Sequence, residues 1–296
     1  MIEGTILLGG PRKRELALKS PLLVAAGALG MAPGRREFPA VEYMGAIVTP
    51  PLTWSPVSEA GPPRLARTTA GYVLHTGRRN PGLRRAIRRY ARAWERLGIP
   101  IIAALYARHP VDLAELAAGA SECEHLQALE LHLPHTVTPD EAYEGARLAV
   151  GESAVPCLAR VPFESAAETA RAVAEAGVDA LVVAAPPMGR APSGDGSWAY
   201  GPLHSPALAP LYTERIYGVR AVSSLPIIAR GGIAETAHAL AHLAAGAVAV
   251  QLDSILMVEP SAPETIYRDL EAEMARRKAA DWPAFLRMLA SDAAEG

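Results

Sequence analysis
The chain has 296 residues, 50% of them hydrophobic and 20% charged, with 29 Lys and Arg against 31 Asp and Glu for a formal net charge of −2. That balance supplies no basic field to hold nucleic acid or an anionic membrane surface, which leaves a small-molecule ligand as the expected partner. The two cysteines, Cys123 and Cys157, make no CxxC pair, so neither a disulfide framework nor a cysteine zinc site is expected, and a reducing cytoplasm is.

In chain order, residues 3–20 read first as a β-hairpin, with TILLGG and ELALKS on either side of GPRKR. The apolar stretch there is too short and wrongly flanked for a signal peptide, and no later run approaches the roughly 18 residues of a membrane span. Eight short aliphatic runs follow: PLLVAAG from Pro21, GAIVTP from Gly45, PIIAALYA from Pro100, ALELHLP from Ala128, VPCLARVP from Val155, ALVVAAP from Ala180, PIIARGG from Pro226 and AVAVQLD from Ala247. Between them lie segments with apolar residues at helical spacing, such as PGLRRAIRRYARAWERLG, VDLAELAAGASECEH, SAAETARAVAEAG and TAHALAHLAAG; ETIYRDLEAEMARRKA comes after the eighth run. Thr138-Pro139-Asp140-Glu141 and Ser165-Ala166-Ala167-Glu168 have the form of capping boxes at helix starts.

Eight near-continuous apolar strands, each followed by a helix, predict an α/β fold: a single (β/α)8 TIM barrel with the hairpin closing its bottom. An open doubly wound sheet is the alternative. No Pro/Gly/Ser-rich linker divides the chain, so one domain over 1–296 is expected. Two long connections interrupt the pattern, residues 51–79 and 187–204, and barrel enzymes keep their chemistry in loops of this kind.

The succession KSPLLVAAGALG, GAIVTPPLT, GRRNPGL, ALELHLPHT, LPIIARGGIAET and AGAVAVQLDS resembles the dihydroorotate dehydrogenase family across nearly the whole chain. The resemblance implies a barrel with FMN at the C-terminal ends of the strands, a homodimer, and an oxidoreductase acting on a CH–CH donor. Several family positions are changed. A flavin-contacting lysine corresponds to Pro50, and a second lysine on the fifth strand corresponds to Arg160, which keeps charge but not ammonium geometry. The asparagine pair around the catalytic base is replaced by His132-Leu133-Pro134-His135, shortened by two residues and without the base. A further substrate-contacting asparagine is His75, the sixth-strand asparagine is Ala185, and a loop serine aligns with His204. Recognition of dihydroorotate by amide hydrogen bonds is therefore not expected.

The resemblance gives Ala26, Gly27, Arg160, Arg230, Gly231, Gly232, Asp253 and Ser254 as the cofactor contacts. Gly231 and Gly232 are suited to cradle a phosphate through backbone N–H groups, or simply to make a tight strand-to-helix turn. Asp253 opposes a phosphate, and Arg230 is placed to offset it by pairing with Asp253 or with the phosphate itself. Strand parity sends Glu130 and His132 into the barrel and Leu129 and Leu131 toward the helices. His75, His132, His135 and Arg160 are the candidate catalytic residues. His75, His132, His135 and His204 together are an alternative divalent-metal set, and hydrogen bonding among themselves and water is the bland reading. His109, His125, His238 and His242 read as surface or packing residues. A partner or regulatory subunit without redox chemistry is the remaining alternative, motivated by Pro50, Asp253 and the missing base.

Overall fold
The computed structural model describes residues 4–9 and 15–295. Strands β1 (Ile6–Leu8) and β2 (Leu16–Leu18) form the antiparallel hairpin, whose expected turn at GPRKR lies outside the described residues. Leu8, Leu16 and Leu18 enter the main core, and Leu18 sits beside Gly45 at the start of the second barrel strand, so the hairpin covers the N-terminal end of the barrel.

Barrel strands β3 (Leu22–Val24) and β4 (Ala46–Val48) come next. The chain then leaves the barrel for β5 (Leu65–Thr68) and β6 (Gly71–Leu74). It returns for β7 (Ile101–Tyr106), β8 (Ala128–His132), β9 (Cys157–Arg160) and β10 (Ala180–Val183). A second excursion makes β11 (Met188–Pro192) and β12 (Trp198–His204), and β13 (Ile227–Arg230) and β14 (Ala249–Leu252) complete the set. The closed barrel runs β10-β13-β14-β3-β4-β7-β8-β9, all pairings parallel. Each of the eight apolar runs is a barrel strand, because both of its faces are covered and apolar residues are needed on each.

Around the barrel lie α1 (Leu83–Leu97), α2 (Leu113–Ser121), α3 (Pro139–Glu152), α4 (Ala166–Glu175), α5 (Ala209–Arg220), α6 (Thr236–Ala244), the single turn α7 (Ile255–Val258), α8 (Ala262–Arg276) and α9 (Trp282–Glu295). Helix α1 buries Leu83, Ala86, Trp94 and Leu97 and leaves its arginines outward, as an amphipathic barrel helix should. Helix α9 was not expected from the sequence. Its Trp282 and Phe285 are buried, with Trp282 5.7 Å from the Tyr267 ring of α8. No helix among the described residues is long and apolar enough to cross a membrane.

The capping box at Thr138 forms: Glu141 N donates to Thr138 Oγ1 at 3.3 Å, and Thr138 N donates to Glu141 Oε2 at 2.9 Å. That at Ser165 does not form. Ser165 makes no cap bond to the helix, and its hydroxyl pairs with Thr169 Oγ1 at 3.1 Å, one turn away. Thr138→Ala is accordingly expected to lower the melting temperature by about 2 °C, whereas Ser165→Ala leaves it nearly unchanged in the same thermal melts.

The two long connections are not irregular loops. They pair with each other in a four-stranded antiparallel sheet, β11-β12-β6-β5, with Leu203 opposite Val73 and His204 opposite Tyr72. Each stretch is a local hairpin, β5 with β6 and β11 with β12, and the two hairpins join through β12 and β6, more than a hundred residues apart in the chain. This sheet brings His204 of β12 against Asp253 at the end of β14.

Candidate active site
Register fixes what the barrel interior contains. Tyr106, His132 and Arg160 stand at one level on β7, β8 and β9, with Val182 of β10 beside Arg160. Arg230 of β13 pairs in register with Gln251 of β14. Glu130 and His132 do point inward: Glu130 Oε2 accepts from Gln251 Nε2 at 2.5 Å, a bond that spans the barrel from β8 to β14.

Glu130 and His132 form a dyad with no solvent exposure, His132 Nε2 lying 2.6 Å from Glu130 Oε1. Burial pushes the Glu130 carboxyl up, but the His132 hydrogen bond, helped by the charges of Arg160 and Arg230, outweighs it and holds the group well below the usual carboxylate range. Burial and the Arg160 charge push the His132 imidazole down against the pull of Glu130. The dyad therefore stands as a carboxylate and a neutral imidazole. Nε2 carries the proton toward Glu130, and Nδ1 is an enclosed acceptor without a partner.

A second polar group sits at the same end of the barrel. Asp253 Oδ2 accepts from Arg230 Nη2 at 2.7 Å and from Arg230 Nε at 3.3 Å, and His204 Nδ1 lies 3.5 Å from the same oxygen. Burial raises the Asp253 carboxyl, and the Arg230 charge more than reverses that, so the acid is ionised. His204 stacks on Tyr72 at 5.1 Å, and burial keeps it neutral. With Glu130 held by His132 and Gln251, and Asp253 by Arg230 and His204, Arg160 has no carboxylate in contact among the described residues. Its Nε is enclosed and unpartnered. Burial pushes its guanidinium down to about 9, with Arg230 acting in the same direction, so it remains a cation at neutral pH. Arg230 Nη1 and Gln251 Oε1 are likewise enclosed and unpartnered.

The remaining expected site residues divide. Ala26 and Gly27 follow β3 at the mouth, with Gly27 at φ 85° and open space where a side chain would be. His75 and His135 are exposed, one after β6 and one before α3. Among the described residues no group of three or more His, Cys, Asp or Glu side chains is placed to hold a metal ion. The set His75, His132, His135 and His204 is thus not assembled, because two members face solvent and His132 is committed to Glu130. Of the arginines in the 51–79 connection and just after it, Arg64 and Arg79 pair with Glu59 on the surface. Only Arg78 turns to the mouth, its guanidinium 3.9 Å over the Tyr106 ring. Trp198 and Tyr200 occupy the exposed face of β12, with the Arg190 guanidinium 4.5 Å over the Tyr200 ring.

Sequence reasoning missed three residues. Gln251 is a polar side chain at an inward position of the eighth run, two residues before Asp253, a signal that was available. His242, expected on the surface or in packing, is a fully buried packing residue: its Nε2 lies 3.0 Å from the Gly231 carbonyl and its Nδ1 3.1 Å from Thr213 Oγ1, so it ties α5 and α6 to the glycine turn. Tyr212 lies directly beneath that turn, and nothing in the spacing announces it.

Gly231 has φ 107°, and a Cβ there would fall 2.1 Å from Tyr212 Cζ; Gly232 has φ 70°, and a Cβ there would fall 2.6 Å from the Ala209 backbone. Packing alone demands both glycines, so their identity is no argument for a phosphate. Beside them is a narrow cleft, with about 10 Å³ open to a water-sized group, lined by His204, Ser205, Tyr212, Gly231, Gly232, Gln251, Asp253 and Ser254 among others. A flavin requires two things of these residues. Its polar ring edge needs donors and acceptors, and Arg160 Nε, Arg230 Nη1 and Gln251 Oε1 are enclosed and without partners, so the ring fits. Its phosphate, in FMN, needs an anion cradle, and here the cradle contains the Asp253 carboxylate. Two like charges about 4 Å apart repel by ~1 kcal/mol in water and ~4 kcal/mol at an effective dielectric constant of 20. The phosphate does not fit.

Comparison with known proteins gives a consistent picture. The nitronate monooxygenase family matches residues 146–274. The catalytic subunit of dihydroorotate dehydrogenase B (NAD(+)) from Geobacillus kaustophilus is 30% identical over 277 residues, covering 87% of this chain and 88% of that one. The corresponding subunit from Porphyromonas gingivalis is 27% identical over 286 residues, covering 90% and 93%. The crystal structure of the dihydroorotate dehydrogenase of Eimeria tenella with ferulenol superposes with a TM-score of 0.75 at 16% identity, over 90% of this chain and 84% of that chain, a likeness of fold.

Proposed function
The chain belongs to the dihydroorotate dehydrogenase family, and from that premise we propose that it is a flavin-dependent oxidoreductase whose CH–CH donor is not dihydroorotate. One observation carries the reading. Four enclosed polar atoms on β8, β9, β13 and β14, namely His132 Nδ1, Arg160 Nε, Arg230 Nη1 and Gln251 Oε1, lack partners at the same end of the barrel, and buried polar groups are otherwise almost always satisfied. A polar ligand accounts for all four together.

In this reading Arg160 and Gln251 would hold the polar edge of the flavin ring, which would supply a hydride acceptor for the substrate. His132 is the general base. Glu130 fixes its tautomer and orientation and leaves Nδ1 free to take the proton that departs with the hydride. The amide groups by which relatives are expected to hold their substrate are absent at His75, His132, His135 and Ala185, so the donor is recognised by other chemistry. The absorption spectrum of the protein as purified, and again after incubation with FMN or riboflavin, tests the proposal: a flavin band near stoichiometric occupancy is expected, and no band in either case refutes it. In an anaerobic screen of CH–CH donors followed by bleaching of that band, His132→Gln is expected to slow reduction by about 10²- to 10⁴-fold while leaving flavin affinity within a few-fold.

The Arg230–Asp253 ion pair favours a second reading, a homologue without redox chemistry that acts as a partner or regulatory subunit. A stable heteromeric complex with no flavin in either component would support it, and turnover by the isolated chain would rule it out.

A further inference from the structure
The cleft beside Gly231 and Gly232 is built for something other than an anion. Asp253 takes both Arg230 bonds and the approach of His204 on a single oxygen, Oδ2, which leaves Oδ1 free to accept a donor. Ser205 and Ser254 line the same wall, the Ser205 hydroxyl donating to the Ala70 carbonyl at 2.6 Å and accepting from Ala207 N, and the Ser254 hydroxyl hydrogen-bonded with Tyr72. Arg230 is only 3% exposed and is not among the residues lining the cleft, and its Nε and Nη2 bonds turn much of its charge toward Asp253. Helix α6 begins close by, and its cap position is Glu235, a carboxylate already set against the positive end of the helix dipole. Opposite these acceptors, the N–H groups of Gly231 and Gly232 have no backbone acceptor among the described residues. A wall that both accepts from hydroxyl groups and donates to them, with a carboxylate at its centre, matches a polyol.

We propose that this cleft takes a neutral, hydroxyl-bearing group and that the chain accordingly selects a phosphate-free flavin over FMN. The inference rests on the flavin reading above, and adds to it the chemical form of the cofactor. It makes Asp253 the residue that discriminates, through a carboxylate that accepts from a terminal hydroxyl and repels a terminal phosphate.

The test is a pair of titrations of the full chain, with riboflavin and with FMN, read by quenching of flavin fluorescence at fixed pH and ionic strength. Riboflavin is expected to bind about tenfold or more tightly than FMN. In Asp253→Asn, which keeps the shape and removes the charge, the preference is expected to move toward FMN by at least about tenfold, FMN gaining and riboflavin losing the charged acceptor. Thermal melts with inorganic phosphate give an arm that needs no flavin: phosphate is expected to stabilise Asp253→Asn and not the parent chain. Should the variant fail to fold, the ratio of the two affinities in the parent chain still decides. FMN binding as tightly as riboflavin to the parent chain overturns this inference and leaves the flavin reading standing. Binding of neither flavin overturns both, and phosphate stabilising parent and variant alike overturns the role of Asp253.

Discussion

Replacing Glu130 by alanine is expected to destabilise the fold by about 3 kcal/mol or more, the largest loss of any single substitution at the barrel centre. The carboxylate has no solvent exposure and holds two groups at once, His132 on its own strand and Gln251 across the barrel. Its removal leaves a buried imidazole N–H and a buried amide without acceptors, opens a cavity, and takes a compensating negative charge from Arg160; each of these is costly in a closed interior. Glu130→Gln keeps the volume and should cost less. Urea denaturation of the three proteins at pH 7 measures the difference, and a loss below about 1 kcal/mol for the alanine variant is incompatible with this account.

The same dyad sets the acid limit of stability. Both groups have folded-state pKa values below their unfolded values, near 4.5 for the carboxyl and 6.5 for the imidazole, so over the intervening pH range the unfolded chain binds more protons than the folded one. Stability is then fully present above about pH 6.5 and falls as pH drops, first through the imidazole and, below about 4.5, through the carboxyl as well. Burial lowers His204 and His242 in the same sense, and Asp253 joins Glu130. Glu130→Gln should therefore weaken the part of the acid limb below about pH 4.5 and leave the part above it.

How much of this was legible in the sequence depends on the range over which each feature is specified. The eight barrel strands announce themselves locally, because a strand buried on both faces needs an unbroken apolar run, and the inward turn of Glu130 and His132 follows from period-two parity once the strand is placed. Thr138 and Glu141 satisfy each other within one helical turn, so their spacing suffices. The β5, β6, β11, β12 sheet is the opposite case: Tyr72 and His204 meet only because two connections far apart in the chain pair with each other. Tyr212 beneath Gly231 and His242 against its carbonyl are invisible for the same reason, since each is specified by helix placement on the barrel rather than by neighbours in sequence. The glycine pair shows how a correct local reading misleads about function. Its left-handed conformation is real, but Tyr212 and Ala209 require it whether or not a ligand is present.

Arg160→Met is expected to move stability and ligand affinity in opposite directions. In the ligand-free chain, the partly buried Arg160 guanidinium feels the like charges of Arg230 and Arg78, its Nε is enclosed, and it has no carboxylate in contact among the described residues. A cation held this way is a cost to folding that a ligand, not the fold, relieves. Methionine has similar reach, fills the space with apolar contacts and removes the repulsion, so the variant should be more stable than the parent by about 1 kcal/mol in the absence of flavin. Its affinity for flavin should fall by about tenfold to a hundredfold, the magnitude of a lost hydrogen bond from a charged donor. Adding flavin should then reverse the order of melting temperatures, with the parent chain the more stable of the two at saturation. A purely structural arginine, tied to Glu130, predicts the contrary: the variant less stable with and without flavin, and no change in affinity. Melts of both proteins with and without riboflavin separate the two cases.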